Sequence, residues 1–440
     1  MHWTREGRLI VNAKMPVMKT AKVLSLSVLC LLGTIGATSD ARASGNPQFA
    51  VQTSLSGSSD AFFGYSVAID ADTAIVGAWN DNGGNGAAYV FVRTGTSWSR
   101  QQELTASDGA SGDLFGYSVA VSGNTALVGA VGHASNQGYV YAFTRNGSVW
   151  TQQQEFTSGD GSAEDCFGCA VALRGGSAIV GAPGKFSGTG AGYAYVNQGG
   201  TWQVQQEFLG QAAGEAFGFS VALSPDATTG VVGAYGANSQ AGHAYVLTTN
   251  GSTWSQQAVL AASDGAANDR FGYSVAADTN TALIGAYGHG GSGAAYIFTQ
   301  SAGVWSQQPT LLPGNGAAND FFGYSVALAG STAVVGAYEK GGPEGPGAAY
   351  VFTNTGSGWA QQELLAPGTG QYFGYAVATT ATTAVVGAFG STSDAGAAYV
   401  FVPNGTSVPA FGDKAGLLGL VLLLAGLASV TGPLRGDRQS

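Results

Sequence analysis

The sequence predicts an all-β fold, a seven-bladed β-propeller closed by an N-terminal strand. Three observations predict it. One unit of about 50 residues recurs seven times. Each unit holds four strand-like stretches. The stretch missing from the last unit stands ahead of the first.

The unit is anchored by Phe-Gly, with its glycine at Gly64, Gly116, Gly168, Gly218, Gly272, Gly323 and Gly374. The steps between them are 52, 52, 50, 54, 51 and 51 residues. In the first unit "FGYSVAI" (63–69) alternates Phe63, Tyr65, Val67 and Ile69 with Gly64, Ser66 and Ala68, as a strand does. "TAIVGA" (73–78) is a short buried strand, and "AAYVFV" (87–92) alternates again. "SWSRQQEL" (97–104) is more polar, as an outer edge strand should be. Large residues opposite small ones suit sheets stacked face to face. A strand in which Trp is followed by Gln-Gln occurs six times, at Trp98, Trp150, Trp202, Trp254, Trp305 and Trp359. The seventh unit stops at "AAYVFV" (397–402), while "QFAVQTSL" (48–55) precedes the first Phe-Gly at the spacing of such a strand. The ring is therefore expected over residues 46–403, with no free edge left between its ends.

Composition agrees. Of 440 residues 71 are Gly and 11% are aromatic, the mix of tight turns and β-formers. The net charge is −10 with no basic stripe, which argues against a nucleic-acid partner. Three cysteines cannot hold a fold of this size by disulfides.

Both ends are apolar. Residues 18–43 carry Lys19 and Lys22, an apolar core and the small-x-small site Ala41-Arg42-Ala43. This predicts a signal helix in a leader over 1–43, a start at Met18 and cleavage after Ala43. Residues 415–434 are uncharged and long enough for a membrane-spanning helix, with Arg435 and Arg438 behind them. Linker 404–414 contains Val408-Pro409, so linker, apolar segment and arginines over 404–440 resemble the tripartite sorting signals of bacterial surface proteins. The expectation is an exported chain, at the cell surface or extracellular, attached to a membrane through its C-terminal segment or processed there.

The Phe-Gly and Gly-Ala pairs resemble the FG-GAP repeat family, known from integrin alpha-chain propellers and bacterial surface proteins. The third copy spells the whole name, Phe167-Gly168 and Gly181-Ala182-Pro183. In calcium-binding members of that family a D-x-D-x-D-G-x-x-D loop joins the first two strands. Here Asp70 and Asp72 stand in that place, without the third carboxylate or the glycine, and the six sibling turns supply fewer acids. Two carboxylates leave most of a calcium shell to water, so a plain turn is the favoured reading. A second acidic stretch precedes Phe-Gly in four copies and ends on Asp113, Asp165, Asp269 and Asp320. These are weak cation candidates, and turn capping is the reading preferred for them.

No catalytic constellation stands out. His133 and His289 occupy matching loop positions, and His243 lies in a strand. No histidine pair has metal-ligand spacing. Cys166 and Cys169 flank Phe167-Gly168. Placed in a strand, they would point to opposite faces, so no disulfide is expected. The tyrosine and tryptophan series read as blade core. The long variable loops are 79–86, 234–242 and 337–347, on the face that also carries the links between blades. Variable loops on a rigid ring are where binding resides. The chain thus reads as a monomeric, non-enzymatic surface scaffold, without a cofactor, that binds an extracellular protein or glycan through that face. A calcium-dependent adhesion module and a secreted hydrolase are the alternatives.

Overall fold

The computed structural model describes residues 49–403 apart from 57–60, 344, 367–370 and 391–394, together with a two-residue pairing of His2–Trp3 with Leu9–Ile10. The leader with its cleavage site at Ala43, the 404–414 linker and the 415–440 segment lie outside the described residues. Among the described residues no helix is long and apolar enough to cross a membrane.

Seven four-stranded antiparallel sheets follow one another around an axis. The first blade is Ser66–Asp70, Thr73–Ala78, Ala87–Thr94 and Ser97–Leu104, from axis to rim. Blades two to six repeat this order over 115–156, 170–209, 220–260, 274–307 and 325–365. The seventh blade takes Ala376–Thr379, Ala384–Ala388 and Ala397–Pro403 from the C-terminal side and Phe49–Ser56 from the N-terminal side. Leu55 pairs with Ala398 and Val51 with Phe401. The N-terminal strand therefore closes the ring, as the repeat count predicts.

Seven apolar clusters account for the core, one at each blade-to-blade interface. Between blades one and two, Ile75, Ala88, Val90 and Leu104 meet the bulkier Phe115, Val128, Tyr141 and Phe143. Each large buried side chain contributes about 1.5–3 kcal/mol. Buried Phe115 meets Tyr141 edge to face at 5.4 Å, and the same pair recurs as Phe63 with Tyr89 and Phe322 with Tyr350.

The outer strands are joined by a device that the glutamines build. In blade one the pairing skips Gln101, a β-bulge between Arg100 and Gln102. The bulge aims the Gln101 oxygen at the next blade, where it accepts the Trp150 indole N–H at 2.9 Å. Gln102 then holds the Trp150 main chain, donating to its carbonyl and accepting its N–H, both at 2.8 Å. Likewise Gln205 accepts the Trp254 indole N–H at 2.9 Å, and Gln206 accepts the Trp254 main-chain N–H at 3.0 Å. In the closing strand the skipped residue is Gln52, and it accepts the Trp98 indole N–H at 2.9 Å. The seam of the ring thus uses the same contact as the joins at Trp150, Trp254 and Trp305. In blade five the outer strand stops at Gln307, where the following Gln308-Pro309 removes a donor from the ladder.

One expectation needs correction. "FGYSVAI" is not one strand in six of the blades, because the strand begins only after the third residue. Phe63 and Gly64 form the middle of a turn in which the Tyr65 N–H donates to the Phe62 carbonyl at 3.2 Å. Gly64 has φ +92°, the sign that a type II turn requires at its third residue. The alternation of large and small residues imitates a strand, and the glycine conformation breaks it.

Candidate functional site

The seven Phe-Gly turns meet at one mouth of the axis, the mouth ringed by the long loops and the inter-blade links. The packing is backbone against backbone. A Cβ on Gly77 would lie 2.0 Å from the Gly116 carbonyl oxygen of the next blade, so the second strand needs glycine there. Ser66 donates to that same carbonyl at 2.9 Å, and Ser118, Ser220, Ser274 and Ser325 do the same in their blades. The serine hydroxyls are therefore used between blades. The axis below the mouth is a narrow cavity of about 170 Å³, walled by residues such as Val67, Ala68, Val119 and Leu328.

The residue after each Phe-Gly turns toward the axis. In order these are Tyr65, Tyr117, Cys169, Phe219, Tyr273, Tyr324 and Tyr375. Neighbouring rings lie 4.7–5.1 Å apart, from Phe219–Tyr273 through Tyr324 and Tyr375 to Tyr65 and Tyr117. Tyr273 donates to the Tyr324 hydroxyl at 3.0 Å. Tyr375 is hydrogen-bonded with Tyr324 and Tyr65, and Tyr65 with Tyr117. Burial pushes all five phenols above their ordinary pKa, so the collar is a chain of neutral hydroxyls.

A second tier stands outside the collar, from the residue after each Gly-Ala. Trp79, Tyr235, Tyr287, Tyr338 and Phe389 are aromatic there, and Val131 and Pro183 are not. Burial pushes Tyr235 up to about 12. Tyr372 stacks on Phe389 at 4.9 Å, and Phe321 on Tyr338 at 5.7 Å. All of these rings are half-buried. The second tier is thus aromatic in blades four to seven and one, and non-aromatic in blades two and three. Arg270 lies over the Tyr287 ring at 4.9 Å and also bonds its hydroxyl.

Around the mouth the inter-blade links end on buried acids. Asp113 accepts the Ala110 N–H at 2.8 Å, Asp165 that of Ser162, Asp269 that of Ala266 and Asp320 that of Ala317, each at the same distance. A basic side chain from the loop between strands two and three meets three of them: His133 Nδ1 on Asp113 at 3.0 Å, His289 Nδ1 on Asp269 at 2.8 Å and Lys340 on Asp320 at 2.9 Å. In blade three buried Lys185 reaches Asp160 at 2.5 Å and Glu207 at 3.3 Å, and its hydrogen bond holds the Asp160 carboxyl below the usual range. Burial raises Asp165 instead. Glu215 fills the same place in blade four and accepts the Tyr245 hydroxyl at 2.6 Å. Sequence reasoning missed it by following the Asp-Gly phrase instead of the position two residues before Phe.

Asp70 and Asp72 lie on the opposite face, and their side chains part company. Asp70 accepts the Gly123 N–H of the next blade at 2.6 Å, while Asp72 pairs with Arg93 at 2.6 Å. The six acidic candidates are thus distributed over five turns, and the two that share a turn are turned to different partners. Among the described residues no group of three His, Cys, Asp or Glu side chains could hold a metal ion. His243 lies 3.9 Å from Glu215.

A family model described as FG-GAP repeat matches residues 51–91, 98–143, 150–197, 254–298, 305–352 and 359–401. The chain belongs to the FG-GAP repeat family. No curated protein matches it. The FG-GAP unit is offset from the blade by one strand: five matches begin on the outer-strand tryptophan and run into the third strand of the next blade. The first match begins at residue 51, inside the closing strand, which gives that strand the same standing as the Trp-Gln-Gln strands. The FG-GAP unit from Trp202 lies outside the six matches, and its turn "SPDATT" (224–229) is longer than its siblings.

Proposed function

We propose that this FG-GAP propeller is a non-enzymatic binding module, exported and held at a cell surface, that takes an extracellular protein or glycan on its long-loop face. One observation carries the reading. Half-buried aromatic rings from five blades converge at the centre of that face. Tyr and Trp anchor interfaces because they combine a large apolar ring with a polar edge. A flat aromatic floor takes the apolar face of a sugar ring or an apolar side chain, and the surrounding loops supply polar contacts.

The chemistry of the mouth favours binding over catalysis. Its phenols are held neutral by burial, and a neutral buried phenol is a poor base at physiological pH. The carboxylates nearest to it are engaged in capping their own turns. Binding is therefore expected without calcium.

The test is a glycan and surface-protein array probed with the full chain and with a Tyr338→Ala/Tyr372→Ala variant. Both side chains are half-buried on the aromatic side of the mouth. Loss of binding by a folded variant, with wild-type binding equal in calcium and in chelator, supports the reading. Binding that survives both substitutions, or that vanishes in chelator, overturns it.

A further inference from the structure

The third blade departs from the others at one turn, and the departure is double. In every blade the residue before Phe-Gly and the residue after it are the first and fourth members of a turn closed by one hydrogen bond. The N–H of Tyr117 donates to Leu114, that of Phe219 to Ala216 and that of Tyr273 to Arg270, each at 3.1 Å. In blade three both members are cysteine, and the Cys169 N–H donates to the Cys166 carbonyl at 3.0 Å. The expectation of opposite faces assumed a strand. The strand begins only at Ala170, and Cys166 has φ +55°.

The end members of such a turn have Cα atoms under about 7 Å apart. A disulfide spans Cα separations of about 4.4–6.8 Å. Both thiols are free, and they are hydrogen-bonded to each other. Cys166 is buried, whereas Cys169 is partly open at the mouth, between Tyr117 and Phe219 in the collar order.

We infer that Cys166 and Cys169 form a dithiol–disulfide site, oxidised by a low-molecular-weight disulfide. The reaction balances by exchange. The Cys169 thiolate attacks one sulfur of the disulfide, whose other half leaves as a thiolate and takes up the proton that Cys169 lost. A mixed disulfide stands on Cys169. Cys166 then loses its proton and attacks the Cys169 sulfur, and the second half leaves as a thiol. Two protein thiols become one disulfide and one small disulfide becomes two thiols. Cys169 is the entry point because it is the open one, and Cys166 resolves. The hydrogen bond with Cys166, with burial behind it, holds the Cys169 thiol well above its ordinary pKa. The exchange is therefore slow at neutral pH and accelerates as pH rises.

The test uses oxidised glutathione on the folded full chain, followed by acid quench, maleimide blocking and tryptic mapping. Both cysteines fall in the peptide 146–174. The expected result is loss of both blockable thiols, a peptide lighter by two hydrogens, no retained glutathione, and recovery of both thiols with dithiothreitol. A Cys166→Ser chain should instead keep one glutathione on Cys169. Two maleimides or two glutathiones on the wild-type peptide, or a link to Cys30, would overturn the inference. So would a Cys166→Ser chain that retains no glutathione. Should that variant not fold, the wild-type peptide alone decides, with the urea-unfolded chain as its control.

Discussion

Removing the two buried side chains of the closing strand should open the ring at both of its flanks. Phe49 and Leu55 are 7% and 5% exposed. The bulge at Gln52 reverses the faces of the strand between them. Phe49 therefore packs between blades six and seven, with Phe373, Leu365 and Phe401. Leu55 packs between blades seven and one, with Phe63, Tyr89 and Val400. Truncation to alanine costs about 3–5 kcal/mol for the first and about 2–5 for the second. The two sites share no cluster, so the losses add to about 5–10 kcal/mol. A whole domain has only about 5–15 kcal/mol to lose. Val51 lies on the same strand but is 50% exposed, so Val51→Ala should stay within about 0.5 kcal/mol of wild type. The assay is urea unfolding followed by circular dichroism and by tryptophan emission, since Trp98 leans on Gln52 across the seam. A Phe49→Ala/Leu55→Ala chain with the midpoint of Val51→Ala would refute closure by this strand.

Further outcomes follow from single contacts. Gln102→Ala removes two hydrogen bonds to the Trp150 main chain and should cost about 1–2 kcal/mol in a denaturant titration. Gly77→Ala drives a Cβ onto the Gly116 carbonyl and should cost about 3 kcal/mol, read as a lowered melting temperature. Ala134 sits at φ +53° and ψ +51° beside left-handed Ser135, so Ala134→Gly should stabilise by about 1 kcal/mol, and a lower melting temperature would contradict it. The collar phenols have folded pKa values above their unfolded ones, so their stabilisation is complete below about pH 10 and is lost as pH rises toward the folded values. Tyrosinate absorbance of these residues should then appear together with unfolding, and ionisation of every phenol in a folded chain would contradict the buried collar.

The architecture was legible because it rests on spacing. Seven Phe-Gly pairs, their Gly-Ala partners and one displaced outer strand are all visible in a linear chain. What the turns do was not. Phe63, Gly64 and Tyr65 alternate large and small like a strand, yet the positive φ of Gly64 folds them into a turn. That turn sends Tyr65 to the axis rather than into the blade. From spacing alone the tyrosine series reads as core, which holds for the third-strand residues Tyr89 and Tyr141 but not for the collar. The doubled glutamines looked like edge polarity, because nothing in a sequence marks which residue a bulge will skip. The same step from strand to turn changed the relation of Cys166 to Cys169. The recurring aspartates were visible as positions, whereas their partners His133, His289 and Lys340 lie 20 residues further on, brought back by the loop between strands two and three.

The most direct test of binding at the mouth is hydroxyl-radical footprinting of the full chain with and without the glycan or protein that the array selects. The account predicts protection of Trp79, Tyr338 and Tyr372 at the long-loop face, and unchanged labelling of Val149 and Val304 on the outer strands. Protection confined to the outer strands, or to the turns around Asp72 on the opposite face, would contradict it.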